Sequence, residues 1–444
     1  MLNKVKYGLR EKIISSTKEG TADISDALNL LQASVDELTR SMDEYKKASK
    51  LIERIASDCT FVSAEYLPTT PSPSKKRLLI CGFYGAKNLG DELMLQSLLS
   101  RIDKKKFDAT VMVARHPEVD PSCYSPCRVV HYPKKNDDIL NIVHNYDALV
   151  WGGGAIIDDM NYGFAGSNTP LGYIFLKSSI AMINAEKPVY ILGLSTNQYL
   201  KDARFINDLR YVVEGANYFS LRDTNSKKTL EEAGIDTKKV AIINDLVIAD
   251  IPTGSAQKKS ASKLDVGVIL LNPWDYVEKY STLLKNLTTC FADKKVVLHF
   301  IPFYDYLDLY VETYKKLAKI IDVECVVEDY PETMEGLAKV LLGCDVVFSM
   351  RYHGTLISSL LGVKTVSVDM SSVHPHYYNK LNYIKEKYSA SLESLVLDEF
   401  GNAEKINKLV ASTLKAKTGV DNKKIISSAA KELDLILKDL LGSI

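Results

Sequence analysis

Neither sign of charge is in excess: 56 Lys and Arg stand against 56 Asp and Glu over 444 residues. That balance argues against a generally basic nucleic-acid binder and leaves a local patch as the route to anions. Long apolar runs are missing as well. None approaches the roughly 18 residues that a membrane-spanning helix needs, and the N-terminus has no signal-peptide core. The expectation is a cytoplasmic protein, with peripheral contact at the cytoplasmic face of a membrane left open. Cysteine is sparse: seven residues, odd in number and scattered. This speaks for a reducing compartment and against a disulfide scaffold. Cys123 and Cys127 form the tightest pair, but no second pair or nearby histidine completes a zinc site.

What remains is an ordinary globular composition, 46% hydrophobic and 25% charged, long enough for two or three domains. Residues 1–66 differ from the rest. The opening "MLNKVKYGLREKIISSTK" carries five basic residues and one acidic residue. Beyond it, Ile24, Leu28, Leu31, Val35, Leu38, Met42, Tyr45 and Ile52 trace a heptad-like seam. One reading is a coiled coil that makes a homo-oligomer, with a basic foot on an anionic membrane. The other is a helical hairpin packed on its own body. The Pro-rich stretch 67–76 is a linker.

From there apolar runs alternate with helical segments: "RLLICGF", "ATVMVA", "DALVWGG", "KPVYILGL" and "NYFSLR". A second linker, Ile251–Lys263, precedes a fresh series: "DVGVILL", "KKVVLHFIPF", "DVECVV", "CDVVFSM" and "KTVSVDM". Such alternation implies parallel strands with crossover helices. The fold class is therefore α/β, with two doubly wound Rossmann-like domains, 77–255 and 262–444, facing a cleft, plus the N-terminal helical extension. Ligands of such sheets sit beyond the carboxyl ends of strands.

Each candidate motif lies at such an end. In "CGFYGAKNLGDELML" a strand runs into a glycine-rich loop and then a helix. The loop is neither a GxGxxG fingerprint nor a Walker A loop. Its glycines permit close approach of backbone to a ligand; alternatively Asn88 or Asp91 simply caps the helix. In "WGGGAIIDD" three successive glycines, Gly152, Gly153 and Gly154, offer amides to an anion or make a plain turn. In "FSLRD", Arg222 leaves a strand end, where a lone arginine is ordinarily solvated or in a surface ion pair. In "VVFSMRYHG", Arg351 and His353 lie beside the free amides of a new helix. The dipole favours an anion there, arginine supplies a planar fork and histidine a proton near neutral pH. The alternative is a packed, capping histidine with a paired arginine. The aromatic residues of "NPWDY" and "IPFYDYLD" either stack on a sugar or base or simply pack. Asp245, in "NDLVIAD", is placed toward the cleft, and His374 and His376 on a surface turn.

These pieces, in this order, resemble the polysaccharide pyruvyl transferase family. The matching elements are "GFYGAKNLGDELML", "VWGGGAIIDD", "SLRD", "NDLV" and "MRYHGTLISSLLGVKTVSV", spanning roughly Leu78 to Val368. The resemblance implies a two-domain fold of the glycosyltransferase B type. It implies transfer of the enolpyruvyl unit of phosphoenolpyruvate onto two hydroxyls of one sugar, giving a cyclic pyruvate ketal and phosphate. Arg222 falls on the arginine of the family's S-[VL]-R-D motif, and Arg351 and His353 on its R-x-H motif. Both arginines, with Gly152, Gly153 and Gly154, are thereby expected to hold the donor, and His353 to act as general acid. Tyr84, Asn88, Asp91, Asp158, Asp245 and Lys380 are expected to line the cleft or meet the acceptor. The family often shows Tyr-Asp-x-Lys after the "KTVSV" position. This chain departs from it with "HPHYYNKL", in which Lys380 stands as the equivalent lysine.

The donor has a carboxylate and a phosphate, so two separate guanidiniums suit it, and no step calls for a metal or redox cofactor. The expected partners are phosphoenolpyruvate and a sugar or lipid-linked saccharide of a cell-surface polysaccharide. Two rivals stand beside this reading: a nucleotide-sugar glycosyltransferase of the same fold, and a non-catalytic helical scaffold with a degenerate α/β body.

Overall fold

The computed structural model describes residues 74–444 except 115–123, 134–135, 164–168, 197–198, 254–262, 290, 292–294, 305–306, 322, 371–379, 389–392, 416–421 and 443. The N-terminal heptad seam, the tip of the second linker, Cys123, His374 and His376 lie outside the described residues.

The described residues belong to one compact unit, Ala64–Ile444, built on two parallel sheets. The first contains β1 (Lys76–Cys81), β2 (Phe107–Val113), β3 (Arg128–His131), β4 (Ala148–Gly152), β5 (Val189–Leu194), β6 (Tyr218–Leu221) and β7 (Val240–Ile242). Its order is β3-β2-β1-β4-β5-β6-β7. The second contains β8 (Lys263–Ile269), β9 (Lys295–Phe300), β10 (Glu324–Val327), β11 (Val346–Ser349), β12 (Lys364–Asp369) and β13 (Glu393–Val396), in the order β10-β9-β8-β11-β12-β13. Helices cover both faces, so the central strands are buried on both sides and read as unbroken apolar runs. Leu78, Leu79, Ile80 and Cys81 of β1 are fully buried, as are Val346 and Val347 of β11.

In each sheet the strand order reverses once, between β1 and β4 and between β8 and β11. That reversal opens a crevice beyond the carboxyl ends of the strands, the usual ligand position in such folds. The glycine-rich loop after β1 and the triple glycine after β4 flank the first crevice. Arg351 and His353 follow β11 at the second.

The two sheets meet at these crevices. The Leu89 amide donates to the Phe303 carbonyl at 3.0 Å, and Asn88 and Tyr304 pair in an antiparallel bridge. Tyr330 donates its hydroxyl to the Lys87 carbonyl at 3.1 Å. The last helix, Asn422–Gly442, ties back to the first sheet's side. Glu432 accepts from the backbone and side-chain nitrogens of Asn244 at 2.9 and 2.7 Å, and Asp434 pairs with Arg101 at 2.9 Å. Among the described residues no helix is long and apolar enough to cross a membrane.

Candidate active site

Arg222 follows directly on the last residue of β6. Its amide donates to the Leu194 carbonyl at 3.0 Å, which holds the backbone extended just where the strand stops. The side chain then turns inward; the residue is only 3% exposed. Nη1 donates to Asp245 Oδ2 at 2.8 Å and Nη2 to Ser195 Oγ at 3.0 Å. The guanidinium carbon lies 4.3 Å from the centroid of the Tyr352 ring, a cation–π stack across the two sheets. Next in sequence, Asp223 caps the helix Thr224–Glu232 by accepting from the Ser226 amide at 2.6 Å. Strand end, guanidinium and cap are therefore one continuous device.

Asp245 was placed by sequence among residues lining the cleft. It is enclosed there, its side chain having no exposed surface. It starts the 3₁₀ turn Leu246–Asp250 and accepts from the Val247 amide at 3.1 Å. Its Oδ2 also lies 3.5 Å from His353 Nε2, and Arg222 Nη1 is 3.4 Å from the same nitrogen. Arg222, Asp245 and His353, from three separate segments, thus form one buried charged cluster. Burial alone would raise the Asp245 pKa, but His353 and Arg222 outweigh it and hold the carboxyl well below the usual carboxylate range. Burial likewise opposes the Arg222 charge, yet Tyr352, Asp245 and Asp223 keep that pKa above its ordinary value.

Arg351 occupies the N-cap position of the helix Tyr352–Leu360 without a side-chain capping bond. Its Nη2 donates to the Tyr310 hydroxyl at 2.8 Å, and its guanidinium carbon stacks 4.5 Å from the Tyr304 ring centroid. Of the stretch "IPFYDYLD", Tyr304 therefore packs on a guanidinium. His353 is fixed by what faces it: a Cβ on Gly90 would come within 1.9 Å of Nδ1. Only glycine lets the helix Leu89–Leu99 approach the imidazole this closely. The N-termini of two helices, one from each side, thereby converge on the same spot, and both favour negative charge there.

The remaining sequence-predicted residues fall into three groups. Gly152, Gly153 and Gly154 are buried, and the last two have φ of 73° and 92°, open to glycine at little cost. Asp91 joins the junction from the first turn of its helix. It is 6% exposed, and a Cβ on Gly154 would come 3.0 Å from its Oδ1. Burial pushes its pKa up to about 7, with Arg222 and Arg351 pulling down and Glu92 and Asp245 pushing up. Glu92 is likewise pushed up to about 7 by burial, although the Gly85 amide and Tyr124 hydroxyl donate to it.

Tyr84, Asn88 and Asp158 make structural bonds outside the cluster. Tyr84 is fully buried and donates its hydroxyl to the Gly152 carbonyl, so it ties the two glycine loops together rather than lining the cleft. Asn88 takes the N-cap position with no side-chain bond; its carbonyl accepts from the Glu92 amide at 3.0 Å. Asp158 closes a local turn by accepting from the Met160 amide at 2.9 Å. Lys380 heads the helix Lys380–Tyr388.

Sequence reasoning missed Ser195, Tyr352 and Tyr310 as partners of the arginines. Signals pointed to two of them: Ser195 follows directly on β5, which pairs with β6, and Tyr352 sits between Arg351 and His353.

The comparisons agree with this architecture. Among solved structures, a putative UDP-N-acetylglucosamine 2-epimerase from Listeria monocytogenes matches with a TM-score of 0.51 at 10% identity, covering 83% of this chain and 98% of that one. Anabaena Alr3699/HepE in complex with UDP matches with a TM-score of 0.52 at 14% identity, covering 83% and 100%. At such identities the likeness shows the fold alone, which is of the glycosyltransferase B type. The amylovoran biosynthesis protein AmsJ of Erwinia amylovora is 30% identical over 157 residues, 34% of each chain, so the chain spans about a third of that relative's length. The family model for polysaccharide pyruvyl transferase matches residues 88–372, which takes in the helix Leu89–Leu99, the triple glycine, Arg222, Asp245, Arg351 and His353. With that match over more than half its length, the chain belongs to the polysaccharide pyruvyl transferase family.

Proposed function

We propose that the chain transfers the enolpyruvyl group of phosphoenolpyruvate onto two hydroxyls of one sugar in a polysaccharide or its precursor, forming a cyclic pyruvate ketal and releasing phosphate. The observation that carries this reading is the cluster between the sheets: Arg222, Asp245 and His353 within 3.5 Å contacts, with Arg351 two residues from the imidazole. Family membership supports pyruvyl transfer, and the name of the relative tied to amylovoran biosynthesis supports an acceptor in polysaccharide assembly.

The donor is a small, multiply charged anion. Arg351 and the two converging helix N-termini are suited to its carboxylate and phosphate. Arg222 is already paired with Asp245, so its guanidinium contributes field and a rigid wall more than a free fork. Ketal formation requires a proton on the methylene carbon, after which the central carbon is electrophilic. His353 delivers that proton, and the ionised Asp245 beside it offsets positive charge on the ring. Proton transfer of this kind contributes ~10²–10⁴-fold to rate. Orienting donor and both hydroxyls against fixed groups contributes further.

The test is release of inorganic phosphate from phosphoenolpyruvate in the presence of a panel of synthetic or lipid-linked glycosides. His353→Ala should abolish release while donor binding, measured by calorimetry, persists; Arg351→Ala should weaken binding itself. Near-normal turnover of His353→Ala, or release of nucleoside diphosphate from a nucleotide sugar instead, would overturn the reading.

A further inference from the structure

Ketal transfer makes a demand that one imidazole does not meet. While a proton is delivered to the methylene carbon, the attacking hydroxyl must lose one, and a single group is not acid and base in the same step. A second titratable group is needed at the junction, and the carboxylates there are Asp91, Glu92 and Asp245. Two of them are engaged. Asp245 is held by Arg222 and the Val247 amide, and Glu92 by the Gly85 amide at 2.8 Å and the Tyr124 hydroxyl at 3.1 Å. Among the described residues, no hydrogen bond or ion pair reaches the Asp91 carboxyl.

Its position is nonetheless well determined. A Cβ on Gly154 would come 3.0 Å from Oδ1, and one on the preceding residue, Gly90, 1.9 Å from His353 Nδ1. Asp91 therefore follows directly on the glycine that packs against the imidazole. The residue is 6% exposed, and its carboxyl lies in the combined field of Arg222 and Arg351. A buried carboxyl that faces two guanidiniums without bonding to either is suited to a partner that arrives with the substrate.

We propose that Asp91 is the general base that takes the proton of the acceptor hydroxyl attacking the donor's central carbon, working opposite His353. The proposal rests on the ketal-transfer reading and deepens it. The imidazolium gives its proton to the methylene carbon, whose double-bond pair forms the new C–H bond. The first hydroxyl oxygen bonds to the central carbon and its proton passes to Asp91. The C–O bond to phosphate then breaks, and the departing phosphate takes the proton from Asp91. The second hydroxyl oxygen closes the ring and its proton returns to His353. The two hydroxyl protons end on the methyl group and the phosphate, and both side chains return to their starting states. A carboxyl with a pKa of about 7, set by burial and by Arg222, Glu92, Asp245 and Arg351, accepts and returns a proton readily near neutral pH.

The experiment compares wild type with Asp91→Asn and Asp91→Ser under saturating phosphoenolpyruvate and glycoside. If wild type makes no ketal, it is the ketal-transfer reading that fails. If wild type is active, Asp91→Asn should lose ~10²–10⁴-fold in kcat, with donor affinity changed by no more than about threefold. The wild-type kcat should fall as pH drops below about 7, where Asp91 protonates, and the Asn variant should lose that limb. Formate should restore part of the activity of Asp91→Ser. A kcat for Asp91→Asn within about tenfold of wild type, with its acidic limb intact, overturns the proposal. Should the Asn variant not fold, the Ser variant decides: recovery with formate supports the base, and no recovery together with a wild-type profile flat across pH 6–8 overturns it.

Discussion

Replacing Asp245 by leucine tests whether the charged cluster is as closed as it looks. The Arg222–Asp245 pair is 2.8 Å long, and its side chains are 4% and 0% exposed. Leucine fills a similar volume but leaves a buried guanidinium with Ser195 Oγ at 3.0 Å, the Tyr352 ring at 4.3 Å and no partner for Nε. Breaking a buried pair from one side costs about 3–5 kcal/mol, because the remaining charge stays desolvated. Replacing both partners removes that charge, so Arg222→Met/Asp245→Leu should lie within about 2 kcal/mol of wild type. The four proteins of this cycle would be compared by urea denaturation at pH 7. The pH dependence has a defined sign. A carboxyl held below its ordinary pKa stabilises the fold above about pH 4 and loses that contribution as pH falls toward its folded-state value. The share of the gap that comes from Asp245's own ionisation should therefore hold from pH 5 to 8 and shrink in stronger acid, any change within that range reporting Asp91, whose pKa Asp245 helps to raise. A single variant costing under about 1 kcal/mol, or a double variant as unstable as the single, would refute the reasoning.

Two other perturbations probe the junction. Gly90→Ala places a Cβ where it would come within 1.9 Å of His353 Nδ1, so the imidazole must move. Activity should fall by ~10²-fold or more while thermal stability changes far less, and a fully active variant would show that the ring's position is immaterial. Asp91 has the opposite linkage to Asp245. Its pKa is raised from 3.8 to about 7, so the folded protein holds a proton that the unfolded chain has lost, and stability drops as pH rises from about 4 to 7. Three units at about 1.4 kcal/mol each set a ceiling of roughly 4 kcal/mol. Asp91→Asn should accordingly flatten the fall in stability between pH 5 and 8, leaving only the share due to Glu92. An unchanged slope in urea denaturation would contradict the assignment.

Much of the fold was legible because parallel strands buried on both faces must be apolar throughout, as "DALVWGG" and "CDVVFSM" are. Three strands went unread: β3, β7 and β13, of four, three and four residues. All lie at sheet edges, where a short run has neither the length nor the two-sided burial to stand out. The triple glycine was legible for a conformational reason, since its last two residues have positive φ. Arg351 and His353 were legible from their place at a strand–helix junction. The pairing within the site was not. Asp245 is 23 residues from Arg222, and His353 is 131 residues from it, so only the folded topology brings them together. Tyr84 was misplaced for a related reason: proximity to a strand end does not distinguish a side chain that faces the cleft from one that locks the loops behind it.

Ketal transfer differs from its rivals in where the proton goes. Reaction of the wild-type protein with phosphoenolpyruvate and an accepted glycoside in deuterium oxide, followed by mass spectrometry of the product, reads this directly. A pyruvate ketal carrying one deuterium in its methyl group is the predicted outcome. A glycoside extended by a sugar, or a pyruvyl product with its methylene carbon unprotonated, would contradict it.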